Sequence, residues 1–213
     1  GGYTIAFLIA TAVIVSQGVT KGIEKASKIL MPVLIVIILA LTIYALTLDG
    51  AMDGIIFYLV PDLSKIDLNV IYRALGQSFF SLSLGLGALM TYGSYLSRKE
   101  NVVSAGAMIT FADVGIAFLA GLMIFPFVFS QGIEPEGGAG LIFMTMPGIF
   151  ESMGPTLGIV VGSSFFLLLA FAALTSTISL MELPVAYLVD KHDVKRKNAV
   201  WYAAGVIFLL GIP

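Results

Sequence analysis

Cysteine is absent from this 213-residue sequence, and histidine occurs once. Without cysteine the chain can form no disulfide bond and offers no thiolate for catalysis or metal binding. His192 lies in the charged stretch "VDKHDVKRK" and is interpreted as a solvated side chain. The sequence also lacks GxSxG, HExxH and GxxxxGKS/T motifs, so neither a hydrolase nor an ATP-driven pump is indicated. We predict that the chain is not an enzyme.

Charged residues are few, at 11% of the chain, and they nearly balance to a net charge of −2. The longest basic run, residues 195–197, is too short to indicate nucleic acid as a partner. Hydrophobic residues make up 59% of the chain, and the mean hydropathy is +1.04. A soluble domain cannot bury that much apolar surface, so the composition indicates an integral membrane protein in contact with lipid. Long apolar runs favour an all-α bundle over a β-barrel.

Six stretches are predicted to be membrane helices, because a span needs ~20 mostly apolar residues. Their approximate bounds are 4–17, 28–48, 71–97, 102–130, 156–189 and 198–213. Pro32 falls near the start of the second stretch, where a helix tolerates proline best. Residues 131–155 are predicted to form an external hairpin. Their apolar piece, 139–153, contains Pro147 and Gly148 and is too short to span, and a re-entrant element is the alternative. The sequence begins and ends within apolar stretches, so we expect it to be a segment of a longer chain that forms a single transmembrane domain.

Positive charge alternates from one connection to the next, and this pattern predicts the orientation. Lysine and arginine concentrate in the first, third and fifth connections: Lys21, Lys25 and Lys28, then Arg98 and Lys99, then Lys191, Lys195, Arg196 and Lys197. The second connection, 49–70, holds only Lys65, and the fourth, 131–155, holds no basic residue. We therefore expect the odd-numbered connections to lie in the cytoplasm. The chain would then be a multi-pass protein of the plasma or inner membrane.

The third stretch contains "SLSLGLGA", residues 81–88, at the depth where a helix is furthest from water. At ~1.5 Å per residue, Ser83 lies ~18 Å into its segment, near the middle of a ~30 Å core. Gly85 and Gly87 each weaken a helix by ~1 kcal/mol relative to alanine. One interpretation is close helix packing through small residues. The other is a helix broken near residues 82–87, whose freed backbone groups line a binding site.

Polar residues of two further stretches reach the same depth. Asp113 lies near the middle of the fourth stretch, and an intramembrane carboxylate usually marks an ion or proton path, although it can also pair with a basic residue. Thr175 and Ser176 offer hydroxyls, and the carbonyl of Ala172 lies one turn earlier. Such oxygens suit a small hard cation, but they also serve as polar contacts between helices. The coincidence in depth predicts a cation site at the midplane.

Several motifs, in a fixed order, resemble the neurotransmitter:sodium symporter family, and most of all its bacterial branch of the leucine transporter type. "ALGQSFFSLSLGLGALMTYGSYLSR" resembles that family's broken sixth helix, and "LTSTISLMELPVAYLVD" its eighth. "KGIEKASKILMP" resembles the connection from the fourth to the fifth helix, and "GGAGLIFMTMPGIFESMG" the long external loop. The resemblance covers the whole sequence. It implies part of an inverted-repeat transporter bundle, from the fourth helix to the start of the ninth.

The resemblance also implies roles for individual residues. The substrate-binding residues would be Phe80 as an aromatic lid, with Ser83, Leu86, Ser176 and Leu180. Two sodium sites would be held by Ser81 and Asp113 in the first and by Ala172, Thr175 and Ser176 in the second, each completed by helices outside this segment. Gates or charge balance would involve Gln77, Tyr92, Asp113 and Asp190, with an arginine partner for Asp190 in the missing part of the chain. Tyr92 and Tyr95 are equally compatible with an interfacial aromatic belt.

The sequence departs from the family pattern near the first sodium site. Asp113 stands where many relatives carry asparagine, and Ala117 stands one turn later, where the chloride-dependent branch has serine and some bacterial relatives glutamate. Our hypothesis is that Asp113 replaces bound chloride, so no chloride is expected. Gly22 and Pro32 resemble a family motif that lets the fifth helix unwind on the cytoplasmic side, and both residue types weaken a helix.

These features favour a sodium-coupled symporter of a small, hydrophobic amino acid, which works by alternating access around a midplane site. Leu86 stands where many relatives carry an aromatic residue, and this difference favours an apolar pocket of altered shape. An ion channel is the first alternative, but the polar residues cluster at one depth instead of following a pore. A non-transporting fragment or receptor-like relative is the second.

Overall fold

A computed structural model describes residues 2–97, 99–132 and 138–211, and every regular element in these ranges is helical. Arg98, whose charge entered the orientation prediction, and residues 133–137 of the predicted hairpin lie outside the described residues. The α-helices run in the order α1 (Gly2–Ser16), α2 (Lys25–Ala45), α3 (Ala51–Leu59), α4 (Leu68–Ser81), α5 (Ala88–Ser94), α6 (Val102–Phe129), α7 (Met146–Ser152), α8 (Pro155–His192) and α9 (Arg196–Leu210). Short helical turns precede three of them: a π-helical turn at Val19–Glu24, a 3-10 turn at Leu63–Lys65 and a π-helical turn at Leu141–Thr145.

Three helical stretches in the described ranges have the length and composition to cross a membrane: Val19–Ala45, Val102–Phe129 and Pro155–His192. Local chemistry fixes their ends. Asn101 caps α6, because its side-chain oxygen accepts from the backbone N–H groups of Val103 and Ser104 at 3.0 and 3.2 Å. Pro155 opens α8 at a position where a missing N–H costs nothing. The predicted stretches 102–130 and 156–189 therefore correspond closely to α6 and α8.

The start of α2 differs from the prediction. Helical backbone begins at Val19, so Pro32 lies inside the helix and not near its start. Hydropathy marks where a segment enters the apolar core, whereas a helix can continue into the polar interface. Here Lys28 and Glu24 form an i,i+4 ion pair at 2.6 Å, which supports the charged part of the helix.

Helix α3 lies in a region that the sequence suggested was only a connection, residues 49–70. Gly50 precedes it with a left-handed φ of +80°, which glycine adopts without strain. The helix packs on the C-terminal half of α6: the Phe57 ring lies 5.2 Å from that of Phe125, and the Tyr58 ring 5.1 Å from it. Nine residues are too few for a membrane span, so the sequence of this helix does not predict one.

The chain divides into two compact units, each with its own core. The first comprises Gly1–Val33, Ser83–Glu100 and Ala170–Pro213, and the second comprises Leu34–Leu82 and Asn101–Leu169. In the first unit α1 and α9 pack on the C-terminal part of α8 around fully buried residues such as Val15 and Val185. In the second unit aromatic side chains form the core, with the rings of Phe150 and Phe165 5.3 Å apart.

Much of the apolar surface remains exposed in both units. Leu68 is 83% exposed, Tyr72 80% and Phe111 80%. In water such patches would mark interaction surfaces or aggregation, but lipid and neighbouring helices solvate them well. The exposed surface therefore agrees with the membrane environment that the composition indicates.

Close packing between α3 and α6 depends on Gly54. A Cβ at this position would lie 2.6 Å from the carbonyl oxygen of Phe125, and backbone cannot move aside as a flexible side chain can. We expect Gly54→Ala to destabilise the protein by about 1–3 kcal/mol through overpacking. A lower thermal unfolding temperature of the detergent-solubilised protein is the measurement.

Gly148→Ala is the matched control, since no described atom lies within 4 Å of a Cβ built there. It should leave the unfolding temperature unchanged or raise it slightly, because alanine is the better helix former. Equal unfolding temperatures for the two variants would contradict the proposed packing.

Candidate functional site

The helix that carries the central motif is interrupted as predicted. Helix α4 ends at Ser81 and α5 begins at Ala88, with turns between them. Ser83 has a φ of +54°, a conformation that costs a non-glycine residue roughly 1–2 kcal/mol. Gly85 and Gly87 have φ values of +85° and +82°. The discontinuous helix near residues 82–87 is therefore confirmed.

The two glycines serve the backbone turn and not a close helix contact. No described atom lies within 4 Å of a Cβ built on Gly85 or Gly87, whereas both have left-handed φ values. This observation favours the broken-helix interpretation over packing through small residues. Backbone that leaves a helix at membrane depth is tolerated only where it lines a cavity or is buried in protein. The freed backbone groups of the turn are thus candidates for ligand binding.

Ser81 and Asp113 meet at the end of α4. The Ser81 hydroxyl donates toward the carboxylate of Asp113, with Oγ–Oδ1 and Oγ–Oδ2 distances of 2.7 and 2.8 Å. A hydroxyl has one proton, so it donates to one oxygen at a time, and the other lone pairs stay available. The contact brings three hard oxygen atoms and one negative charge together, which is the donor chemistry that binds alkali and alkaline-earth cations.

Gln77 and Phe80 lie on the same helix as Ser81. Gln77 precedes Ser81 by four residues, so the two share one face of α4. Phe80 is 75% exposed, and its ring is free of aromatic contacts among the described residues. The structure thus places Gln77 on the face that carries Ser81, and it leaves both side chains open to groups outside the described residues.

A second group of closely spaced oxygen atoms lies on α8, in the first unit. The Thr175 hydroxyl donates to the carbonyl of Ala172 at 2.8 Å, and the Ser179 hydroxyl donates to the carbonyl of Thr175 at 3.1 Å. Ser176 is exposed, and Leu180 follows it by four residues on the same face at 47% exposure. Two of the three predicted ligands of the second sodium site, Ala172 and Thr175, are therefore in direct contact.

The two units each carry part of the predicted site. Ser81, Asp113, Gln77 and Phe80 belong to one unit. Ser83, Leu86, Ala172, Thr175, Ser176 and Leu180 belong to the other. Leu86 is 54% exposed, and Ser83 lies in the turn itself.

A buried ion pair, which the sequence did not indicate, lies in the C-terminal part of α8. Glu182 is 0% exposed, and its carboxylate accepts from the Tyr95 hydroxyl at 2.8 Å. Arg196 forms two parallel hydrogen bonds with the same carboxylate, one of them from Nη1 at 3.0 Å, and its Nε donates to the carbonyl of Val15 at 3.0 Å. One guanidinium and one carboxylate thus join α1, α5, α8 and α9.

Two of the predicted gate residues, Tyr92 and Asp190, belong to the same unit as this ion pair. The Tyr92 hydroxyl is buried and has no hydrogen-bond partner among the described residues, and its ring meets that of Tyr95 edge-on at 6.2 Å. Asp190 lines a small cavity of about 460 Å³ together with Thr91, Ser94, Leu183, Ala186, Tyr187 and Lys191. Asp190 forms no ion pair with any described residue. Of the charged side chains in this region, Glu182 and not Asp190 forms the ion pair.

Long apolar helices, together with a broken helix whose end contacts an ionisable residue, define the class of polytopic membrane proteins with an intramembrane polar site. A model of the sodium:neurotransmitter symporter family matches residues 3–213. An uncharacterized sodium-dependent transporter of Bacillus subtilis, YhdH, is 40% identical over 209 residues, which cover 98% of this chain and 46% of that protein. A Haemophilus influenzae sodium-dependent transporter is 42% identical over 211 residues, or 98% of this chain and 45% of that protein.

A solved structure is similar over the same region. The crystal structure of MhsT in complex with L-phenylalanine matches with a TM-score of 0.85 and 50% sequence identity, covering 98% of this chain and 47% of that one. The chain therefore belongs to the sodium:neurotransmitter symporter family and is part of a membrane protein. It spans about half the length of the relatives that it matches. The resemblance drawn from the sequence motifs is confirmed.

The buried ion pair yields a stability prediction. Arg196→Ala leaves the carboxylate of Glu182 buried without its cation, and breaking such a pair costs about 3–5 kcal/mol. We expect a markedly lower unfolding temperature of the solubilised protein. Glu182→Gln in the Arg196→Ala background should recover much of the loss, because a neutral amide can still accept the Tyr95 hydrogen bond.

Lys28→Ala is the control for the ion pair. It removes a charge from the pair with Glu24, whose side chains are 73% and 46% exposed, and such surface pairs contribute ~0–1 kcal/mol. Arg196→Ala and Lys28→Ala of equal stability would show that the buried pair does not hold these helices together.

Proposed function

We propose that the complete polypeptide containing this segment is a sodium-coupled symporter of a small, hydrophobic amino acid in the plasma or inner membrane. Alternating access around the helix break would carry the substrate and Na⁺ inward together. The contact between Ser81 and Asp113 beside the break is the observation that carries the proposal. It provides hard oxygen ligands and a negative charge at a depth where each would otherwise be costly.

In the first sodium site, Ser81 and Asp113 would contribute a hydroxyl and a carboxylate, and helices outside this segment would complete the shell. The charge of Asp113 would balance that of Na⁺ inside the protein. Ala117 offers a methyl group one turn later and can donate no hydrogen bond to an anion. We therefore propose that transport needs no chloride, and that Gln77 lies beside the carboxylate that takes the place of the anion.

In the second sodium site, the carbonyl of Ala172 and the hydroxyls of Thr175 and Ser176 would bind the ion. The 2.8 Å contact between Thr175 Oγ1 and the Ala172 carbonyl supports this proposal, because it holds two of the ligands side by side before any ion arrives. Pre-organised ligands lower the free-energy cost of assembling a site at the moment of binding.

The substrate would lie at the break, where the open end of α5 can provide backbone N–H groups to a carboxylate. Phe80 would cover it, and Ser83, Leu86, Ser176 and Leu180 would line the pocket. Leucines at two of these positions favour an apolar side chain. The similarity to MhsT, a structure solved with L-phenylalanine, supports a hydrophobic amino acid at this site.

Release to the cytoplasm would involve the lower end of the first unit. Tyr92 and Asp190 would act in an inner gate, with Asp190 pairing with an arginine outside this segment. Gly18 enters the π-helical turn with a φ of +95°, and Gly22 lies within that turn. Together with Pro32 in α2, these features weaken the cytoplasmic start of the helix, and unwinding there would admit water to the second sodium site.

Uptake into proteoliposomes tests the proposal directly. We expect saturable accumulation of a labelled hydrophobic amino acid that requires an inward Na⁺ gradient and persists when chloride is replaced by gluconate. Steady, non-saturating conductance would indicate a channel, and a strict chloride requirement would refute the role of Asp113 in charge balance.

Within the same assay, Asp113→Asn should weaken Na⁺ activation by at least about tenfold, which corresponds to ~1.4 kcal/mol of lost charge stabilisation. Asp53→Asn is a suitable control, because Asp53 lies in the first turn of α3. It should transport with the half-saturating Na⁺ concentration of the parent protein.

Unwinding at the start of α2 has its own readout. Hydrogen exchange of the amides in residues 22–32 should be faster without Na⁺ than with it, because sodium in the second site favours the outward-facing, closed state. Residues 34–45 of the same helix are the internal control and should exchange slowly in both conditions. Identical exchange of residues 22–32 with and without Na⁺ would rule out this release route.

A further inference from the structure

Thr11 is a polar residue in the apolar core of the first unit. It is 1% exposed, beside the fully buried Ala12. Its Oγ1 donates to the carbonyl of Phe7 on its own helix at 3.0 Å and lies 3.0 Å from Oγ1 of Thr177 on α8. It is a side-chain hydrogen bond between α1 and α8, and both residues belong to one unit. A buried hydroxyl that crosses between helices, where valine would fill the same space, indicates a directional role.

The hydroxyl protons of Thr11 and Thr177 can be arranged in two ways. Thr177 Oγ1 also lies 3.0 Å from the carbonyl of Leu174, so two hydroxyl protons serve three contacts. When Thr177 donates to Thr11, Thr11 donates to Phe7. When Thr11 donates to Thr177, Thr177 donates to Leu174. In both arrangements the bond between the helices forms and no hydroxyl proton is left unpaired.

The angular position of Thr177 around α8 determines where the hydrogen bond to Thr11 lies relative to the oxygen atoms of Ala172, Thr175 and Ser176. With 3.6 residues per turn, Thr177 lies about 100° around the helix from Ser176 and about 160° from Thr175. The side of α8 that Thr177 fixes against α1 is therefore nearly opposite Thr175. If α8 turned about its axis, the Ala172 and Thr175 oxygens would move with it, so the hydrogen bond to α1 defines the direction in which they face.

Apolar packing alone constrains that rotation less well. Ile178, Met181 and Val185 also bury this side of α8 against α1 and α9. Dispersion contacts have no preferred direction, and unbranched side chains such as methionine adapt to small rotations. A hydroxyl–hydroxyl bond weakens when its geometry is lost, so it adds the directional term that the surrounding core lacks.

We propose that Thr11 is a positioning residue for the second sodium site: through Thr177 it fixes the rotation of α8 that presents Ala172, Thr175 and Ser176 to the ion. This inference rests on the proposed function, since it assigns a support to that same site. Thr11 does not touch the ion. It acts on Na⁺ affinity, and it contributes nothing to substrate recognition once sodium is saturating.

The test uses the complete transporter in proteoliposomes and compares Thr11→Val with the parent protein. Valine keeps the volume, removes the hydroxyl and leaves Thr177 free to donate to Leu174, so no buried polar group is orphaned. We expect the half-saturating Na⁺ concentration to rise about threefold, the size typical of one hydrogen bond between membrane helices. The substrate KM at saturating Na⁺ should stay unchanged, and Thr11→Ser should restore the Na⁺ affinity.

Thr42→Val is the matched control. Thr42 is also buried, at 5% exposure, but its hydroxyl donates only to the carbonyl of Ile38 on its own helix, at 2.7 Å. It should leave Na⁺ activation at the parent value. Thr177→Val removes the same contact from the α8 side, and combining it with Thr11→Val should give no larger effect than either alone.

The outcomes separate the two proposals. Absence of Na⁺-dependent uptake by the parent protein would refute the proposed function. Na⁺-dependent uptake by the parent, with unchanged Na⁺ activation of Thr11→Val, would overturn the positioning role. An equal loss in Thr42→Val, or a change confined to substrate KM, would do the same, because it would show a general packing effect. If Thr11→Val fails to reach the membrane, Thr177→Val supplies the measurement.

Discussion

Polar atoms inside a bilayer must be satisfied by the protein itself, and the features of this chain follow from that constraint. Most of the sequence meets it with uninterrupted helix, as in α6 and α8. Where the helix breaks at residues 82–87, the sequence supplies two glycines for the positive φ values and a serine at the end of α4 that contacts Asp113. The interruption and the carboxylate are therefore parts of one arrangement, since each supplies a reason for the other to exist at that depth.

The same constraint is met differently around the C-terminal part of α8. Several buried polar groups there are paired among themselves: Glu182 with Arg196 and Tyr95, and Thr11 with Thr177. Around the break, in contrast, oxygen atoms keep free lone pairs. A frame of paired buried groups lets a few incompletely paired oxygens hold a fixed geometry.

The sequence predicted the helical class, the two longest spans and the helix break, because each depends on local composition. Gly85 and Gly87 indicate the turn, and the depth of Asp113 in its predicted stretch indicates a polar site. The partner of Glu182 was not predictable in this way: Arg196 lies between the predicted stretches 156–189 and 198–213, in a run of basic residues that is typical of a solvated loop. Helix α3 was missed because its nine residues carry no spanning signal. The predicted start of α2 was wrong, because hydropathy indicates where a segment enters the apolar core. It does not indicate where helical backbone hydrogen bonding begins.

The ion pair between Glu182 and Arg196 also bears on how the chain is made. The two residues lie 14 positions apart, on either side of the connection between α8 and α9. A nascent α8 entering the translocon alone would carry an uncompensated carboxylate into the lipid, which is unfavourable by several kcal/mol. Once the ribosome has added Arg196, the two charges can enter together as a neutral pair. Helices α8 and α9 are thus suited to leave the translocon as one hairpin. Helix α8 would then enter the lipid only after the start of α9 has been synthesised.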